Sequence, residues 1–179
     1  PNGRTTLMNS VFARLFIIGT VFIAGCEGAL VPLGDANDVP IDERLLGEWM
    51  ALDDEQEASI ITIWAFNNTE YYMEWKEEDE DEEAAADTMR IRAFSTELKD
   101  YMFTNIRCIN CEEDETEWFF YRYAFEGDDR LAVQGIRNKH YRDAMSEMTR
   151  SKDVRKYVRA HLNDEDFMEE DIAYFERIK

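Results

Sequence analysis

Basic residues are scarce in this sequence: 20 Lys and Arg stand against 40 Asp and Glu, which gives a net charge of −20. A surface this acidic repels nucleic acid and has no general cationic footprint, so nucleic-acid binding is excluded as a function class. The negative charge favours solubility in a salty environment, which requires no partner. Attraction to cations or to a basic partner is the alternative.

Sequence features of catalysis and of metal binding are also lacking. The two histidines, His140 and His161, have no Ser or Cys nearby in a pattern typical of a nucleophile. No nucleophile elbow, phosphate-binding loop or metal signature is present. The acidic run from Glu77 to Glu83 lacks the alternating ligands and central Gly of a calcium loop, and is typical of a solvated loop. The sequence therefore predicts a protein that is not an enzyme and that holds neither a metal nor a cofactor.

Long apolar runs are absent except for one, from Leu15 to Gly25, near the start of the chain. It is shorter than the roughly 20 residues of a membrane-spanning helix. It follows Arg14 and ends in small residues before Cys26, which is the pattern of a secretory leader. An uncleaved N-terminal anchor helix is the alternative.

The tetrapeptide at 23–26 (Ile-Ala-Gly-Cys) resembles the lipobox of bacterial lipoproteins. The resemblance implies diacylglyceryl transfer to the Cys26 thiol, cleavage immediately before this residue, and N-acylation, and several acyl chains give stable anchoring in a membrane. Residues 1–25 are thus expected to hold the signal peptide, with Met8 as its true start and residues 1–7 upstream of it. In enteric lipoproteins an Asp after the Cys favours retention in the inner membrane. Glu27 stands there in this chain, so the resemblance favours the outer membrane, facing the periplasm.

Cysteine is rare, and lipidation of Cys26 leaves only Cys108 and Cys111 to pair, as export to an oxidising compartment permits. A redox Cys-x-x-Cys is less consistent with the sequence, because the acidic residues that follow would raise the thiol pKa. Zinc would need two more ligands, and His140 and His161 show no suitable spacing. A structural disulfide that closes a turn is the favoured interpretation.

Gly, Pro, Asp and Ala are frequent after the leader, and this composition predicts a flexible tether over residues 26–43. Residues 44–179 are long enough for a single β-rich domain with its own core. Short β-like runs separated by turn signals predict an all-β barrel or half-barrel of seven to eight strands. A short helix is expected within 138–148, and an amphipathic helix over 151–162 packs on the barrel. The strands are expected near 46–52, 59–66, 70–76, 88–95, 101–109, 117–125, 130–136 and, closing the sheet, 172–178.

Residues 47–49 (Gly-Glu-Trp) resemble the Gly-x-Trp signature that opens lipocalin-type barrels. Together with Leu45 they also resemble the Leu-x-Gly-x-Trp start of small bacterial envelope proteins. The resemblance implies a lipocalin-like barrel in which Trp49 plugs one end, with Arg122 or Arg177 as the arginine that covers it. An ordinary core Trp on an N-terminal strand is the alternative.

The predicted strand at 118–125 carries bulky aromatics on both faces, so both faces are covered or one of them lines a cavity. A barrel of about eight strands either fills with its own side chains or encloses one small ligand. The first hypothesis is therefore a module that binds a small apolar ligand. The second is a structural or accessory protein, self-filled, that docks on another envelope protein. The side chains expected to line a cavity are Trp49, Tyr71, Met73, Trp75, Ala93, Phe103, Phe119, Tyr121 and Tyr123.

Residues 137–161 hold the only basic patch in the sequence. It could contact lipid head groups, a partner, or the acidic loops of its own domain, and the last is the simplest interpretation. Its basic members are Arg137, Lys139, Arg142, Arg150, Lys152, Arg155, Lys156 and Arg159.

Overall fold

The structure, a computed structural model, describes residues 28–51, 59–77, 88–111 and 117–178. Eight antiparallel strands follow one another in chain order, and the last pairs with the first, which closes a barrel. The strands are β1 (Gly47–Ala51), β2 (Ser59–Ala65), β3 (Glu70–Glu77), β4 (Met89–Leu98), β5 (Tyr101–Cys108), β6 (Phe119–Phe125), β7 (Arg130–Gly135) and β8 (Ala173–Arg177). The prediction of an all-β, lipocalin-like barrel is confirmed, and the barrel is complete rather than half-formed.

Two α-helices lie between β7 and β8: α1 (Asn138–Asp143) and α2 (Ser151–His161). Two short 3-10 helices, Glu43–Leu45 and Met145–Glu147, precede β1 and follow α1. The predicted C-terminal helix is confirmed, and its buried Val154 packs against the barrel. Within the described part of the chain, no helix is long and apolar enough to span a bilayer.

Side chains alternate between the inside and the outside of the barrel, and both sides carry a hydrophobic core. Trp49 faces inward opposite Ile61 on β2 and Arg177 on β8. The inner core consists of Leu45, Trp49, Ile63, Tyr71, Met73, Trp75, Ile91, Ala93, Ile106, Tyr123, Leu131 and Phe175. The outer core lies between the barrel and the helices, and consists of Ala29, Leu33, Leu98, Phe103, Phe120, Ile136, Tyr141, Met145, Val154, Val158, Leu162, Phe167 and Met168.

Residues 28–42 form a strap that runs along the outside of the barrel, which differs from the expected tether over 26–43. Ala29 exchanges two 2.9 Å backbone hydrogen bonds with Trp118, which immediately precedes β6. Leu33 is fully buried in the outer core, and its backbone N–H donates to Asn105 Oδ1 at 2.8 Å. A Cβ on Gly34 would clash with the Thr96 side chain, so glycine allows the strap to approach β4.

The two ends of the barrel differ. The 3-10 helix Glu43–Leu45 and the turns after β2, β4 and β6 lie at one end, which we call the plug end. The connections from β1 to β2, β3 to β4 and β5 to β6 leave from the opposite end, the loop end. Most of the acidic run Glu77 to Glu83 lies outside the described residues, as do the expected signal peptide and Cys26.

Candidate functional site in the barrel interior

Trp49 closes the plug end. It is buried, and its indole Nε1 donates to the Leu45 carbonyl at 2.9 Å. The Arg177 guanidinium lies 4.3 Å from the Trp49 ring centroid and donates to the carbonyls of Leu46, at 2.7 Å, and Arg44. Of the two arginines that the lipocalin resemblance offered, Arg177 is therefore the one that covers Trp49.

Arg122, the other arginine considered for this role, lies on the outer face of β6. Its guanidinium donates to Gln134 Oε1 and lies 4.9 Å from the Tyr101 ring centroid. The alternation of β6 makes this placement necessary, since Tyr121 and Tyr123 on either side of Arg122 contribute to the inner core.

A second arginine covers the adjoining sector of the plug end. The Arg44 guanidinium lies 4.4 Å from the Phe125 ring centroid and is held by Asp42 at 2.6 Å. This hydrogen bond from Arg44 lowers the pKa of the Asp42 carboxyl. The plug end is thus closed by two guanidinium–aromatic stacks and the 3-10 helix between them.

A small polar cluster lies above the plug, within the barrel. Ser95 Oγ lies 3.1 Å from the Tyr123 hydroxyl, and the Tyr71 hydroxyl accepts a 2.6 Å hydrogen bond from the backbone N–H of Asp42. Burial raises the pKa of Tyr123 to about 12 and also raises that of Tyr71. Both phenols are therefore neutral near pH 7. The buried Thr104 hydroxyl also faces the interior, and it has no hydrogen-bond partner among the described residues.

The structure gives a position to each side chain predicted to line a cavity. Six of them lie in the inner core: Trp49, Tyr71, Met73, Trp75, Ala93 and Tyr123. Phe119 and Tyr121 are half-buried and pack against that core. The prediction for Phe103 is wrong, because this side chain lies opposite Arg122 on the outer face and is fully buried in the outer core.

Small inward side chains line one sector of the interior near the loop end. They come from three adjacent strands: Ala51 on β1, Val133 on β7 and Ala173 on β8. All three are only half-buried, although they face the inside of a closed barrel. Gly135 continues the sector, and a Cβ there would lie 3.3 Å from the Tyr121 ring, so glycine lets this ring lie close to β7.

The opposite sector of the same end is filled by larger, buried side chains, with Trp75 on β3, Ile91 on β4 and Ile106 on β5. The interior is therefore packed on one side and accessible on the other. Sequence reasoning missed Ala51, Val133 and Ala173, because it searched for large aromatics, although the strand alternation would have placed these three on the inner face.

Cys108 and Cys111 are joined by a disulfide at the loop end of β5, with Cα atoms 5.7 Å apart, as predicted. Bonded sulfurs are not thiolate ligands, so they do not form a zinc site in this state. The two histidines lie elsewhere, with ring centroids 6.0 Å apart. The two ring nitrogens of His140 contact the Tyr157 hydroxyl at 2.9 Å and the Asp166 carbonyl at 3.1 Å, so this histidine links helix α2 to the following loop.

Comparisons of the chain with protein-family models, with curated proteins and with solved structures find no match. The geometry of the interior and the leader sequence are therefore the features that bear on function. The interior combines a closed plug end, a few hydroxyls within it, and an accessible apolar sector near the loop end. Such a site can hold a small apolar group without any covalent chemistry.

Proposed function

We propose that the chain is a lipid-anchored cell-envelope protein, acylated at Cys26, whose barrel binds one small apolar ligand near the loop end. The observation that carries the ligand proposal is the half-buried sector of Ala51, Val133 and Ala173. A self-filled barrel would cover these inward carbons with its own side chains. A ligand that covers this surface gains roughly 25 cal/mol for each Å² of apolar area removed from water.

The surrounding side chains define the kind of ligand. Half-buried Phe119 and Tyr121 supply aromatic surface beside the small sector. The Thr104 hydroxyl is the one buried inward oxygen without a hydrogen-bond partner in the described part of the chain. A buried hydroxyl without a partner is costly, so a ligand that supplies one polar atom would relieve that cost. We therefore favour a compact apolar molecule with one polar group.

The start of the strap supports the anchor. Gly28 is buried and donates its backbone N–H to the Glu117 carboxylate, only two residues after Cys26. Because the domain begins immediately after the proposed acylated residue, the barrel would lie at the membrane surface rather than at the end of a long tether. The lipobox resemblance at 23–26 supplies the acylation chemistry.

Titration with an apolar fluorescent probe tests the ligand site. We expect saturable binding with about one site per barrel, as the size of an eight-stranded barrel allows. Ala173→Trp would fill the small sector and should abolish binding. Ala132→Trp is the matched control, because Ala132 is also half-buried on the neighbouring strand but faces outward. Absence of saturation, or equal loss in both variants, contradicts the ligand site.

Metabolic labelling with a radioactive fatty acid tests the anchor. The wild-type chain should take up label and have residue 26 as its mature N-terminus. Cys26→Ser should take up none and should retain its leader. A wild-type chain that takes up no label, or whose mature N-terminus is another residue, contradicts the anchor without affecting the ligand test.

An accessory protein with a self-filled barrel is the second candidate. The observation in its favour is the packing of the plug half, where Trp49, Tyr71 and Phe175 are all buried. Trp64 and Phe66 are exposed near the plug end and would provide an apolar docking patch. Failure of the probe titration would favour this candidate, and saturable binding blocked by Ala173→Trp would argue against it.

A further inference from the structure

A groove of about 870 Å³ lies on the outside of the barrel, separate from the interior. Strap residues 32–36 form one wall, and the N-terminal turn of α2 forms another. Phe94 and Trp118 lie in the groove with ring centroids 5.5 Å apart. The disulfide turn with Ile109 borders it at the loop end.

Four basic side chains and two carboxylates, those of Asp35 and Glu70, line this groove, and three of the basic side chains have no ion-pair partner among the described residues. Arg92 pairs with Glu70 at 2.7 Å. No carboxylate of the described chain pairs with Arg107, Lys152 or Arg155. The Arg107 guanidinium lies 5.8 Å from the Trp118 ring centroid. The Arg155 guanidinium donates to a backbone carbonyl. Three unpaired cations clustered in one groove of a protein with a net charge of −20 can attract an external anion to this part of the surface.

The groove also lies next to the start of the strap. Trp118, which lines it, is hydrogen-bonded through its backbone to Ala29. Gly28 precedes this contact, and the two residues from Gly28 back to Cys26 span at most about 7 Å. If Cys26 is acylated, the groove is therefore held close to the bilayer surface.

We propose that this groove docks on the phosphate-bearing headgroups of anionic lipids in the membrane that holds Cys26. This inference rests on the proposed lipid anchor and is independent of the proposed ligand. Basic side chains near a bilayer are attracted to anionic lipids, while the acidic remainder of the surface is repelled, so the domain takes one orientation. Trp118 and the half-exposed Ile109 supply the apolar contacts typical of an interfacial surface. Of the basic patch in 137–161, Lys152 and Arg155 thus contact headgroups.

The test uses the acylated full chain in vesicles of phosphatidylcholine and phosphatidylglycerol that contain a headgroup-nitroxide lipid as quencher. A fluorophore is attached to Ala36→Cys in the groove wall, or to Met50→Cys on the outer face of β1, across the barrel. Both positions are neutral and half-buried. The new thiol is the only free one, because Cys108 and Cys111 are bonded and Cys26 carries the acyl chain.

We expect several-fold stronger quenching at position 36 than at position 50. Removing two groove cations with Arg107→Gln and Lys152→Gln should reduce quenching at position 36 to the level at position 50. The control pair Lys156→Gln and Arg159→Gln removes the same charge from α2 outside the groove lining and should leave the quenching unchanged.

Vesicle flotation, measured first, separates the two proposals. A chain that lacks the acyl group and does not float contradicts the anchor, and this docking surface with it. A chain that is acylated and floats, but shows equal quenching at both positions, overturns the docking surface alone. The same conclusion follows if the groove variant behaves like the control pair.

Discussion

Replacing Arg177 by Ala should destabilise the barrel more than replacing Arg122 by Ala. The Arg177 side chain is 21% exposed, and its guanidinium makes four contacts at the plug end, one of which is a 3.7 Å ion pair with the exposed Asp129 carboxylate. It covers the Trp49 ring at 4.3 Å and donates to the backbone carbonyls of Leu46 and Arg44. The substitution removes all four contacts together.

The size of the effect follows from these contacts. A partly desolvated cation–π contact contributes about 1–2 kcal/mol. Each charge-assisted hydrogen bond contributes about 1.5–3 kcal/mol, although water can reach carbonyls at this end and recover part of it. We therefore expect Arg177→Ala to lower the free energy of unfolding by about 2–4 kcal/mol. Arg177→Lys keeps the charge but loses the planar fork, so it should cost about half as much.

Urea denaturation followed by far-UV circular dichroism measures the change without relying on Trp fluorescence, which Arg177 itself perturbs. Arg122→Ala is the control, because Arg122 also lies over an aromatic ring but on the outer face. It should cost about 1 kcal/mol, because this half-buried side chain makes one ring contact and one hydrogen bond, to Gln134. Equal losses for the two variants would refute the claim that Arg177 closes the barrel.

Three further predictions concern the strap, the buried phenol and the disulfide. Leu33→Ala should lower the free energy of unfolding by about 2–4 kcal/mol, because it leaves a cavity in the outer core. Leu30→Ala, at a half-exposed site of the same strap, should lower it by about 0.5 kcal/mol or less in the same urea assay. Equal small losses would mean that the strap is not packed. Burial raises the pKa of Tyr123 to about 12, above the value of about 10 for a tyrosine in the unfolded chain. Its contribution of about 2–3 kcal/mol to the free energy of unfolding is therefore present below pH 10 and is lost as the pH rises to 12. In Tyr123→Phe, the free energy of unfolding should not show this decrease at alkaline pH. Reduction of the Cys108–Cys111 bond should cost at most about 2 kcal/mol, since its loop is very short, and a loss of the fold seen by circular dichroism would contradict this estimate.

The sequence predicted the strands well because alternation is a strong local signal. Tyr71, Met73 and Trp75 repeat at every second residue of β3, and all three lie in the inner core. The expected 88–95 strand was too short, since β4 continues to Leu98 and turns at Lys99. This residue has a φ of 55°, which nothing in the local sequence indicates.

The errors arise where the structure depends on contacts between distant parts of the chain. Both faces of β5 are covered, one by the inner core and one by the outer core, so hydrophobicity could not decide which way Phe103 points. The strap was expected to be a tether because its composition is typical of one. Its burial depends on partners such as Asn105, far away in the sequence, which no local pattern predicts.

Ala93 shows that the local sequence pattern predicts which way a side chain points but not how deeply it is buried. It faces inward, as the alternation of its strand predicted, but it is fully buried opposite Tyr71 and Ile106. A large residue at position 93 would therefore disrupt packing rather than simply occupy a cavity. The accessible sector lies nearer the loop end, and only the tertiary structure distinguishes these two levels of the barrel.

Native mass spectrometry of the chain extracted from membranes in mild detergent tests the central proposal most directly. We expect a protein that begins at residue 26, carries fatty acyl groups there, and holds one additional small molecule. The acyl mass should remain in Ala173→Trp, and the additional molecule should be absent from that variant. A chain without acyl mass would contradict the anchor, and a wild-type barrel that never carries a bound molecule, even after incubation with apolar probes, would contradict the ligand site.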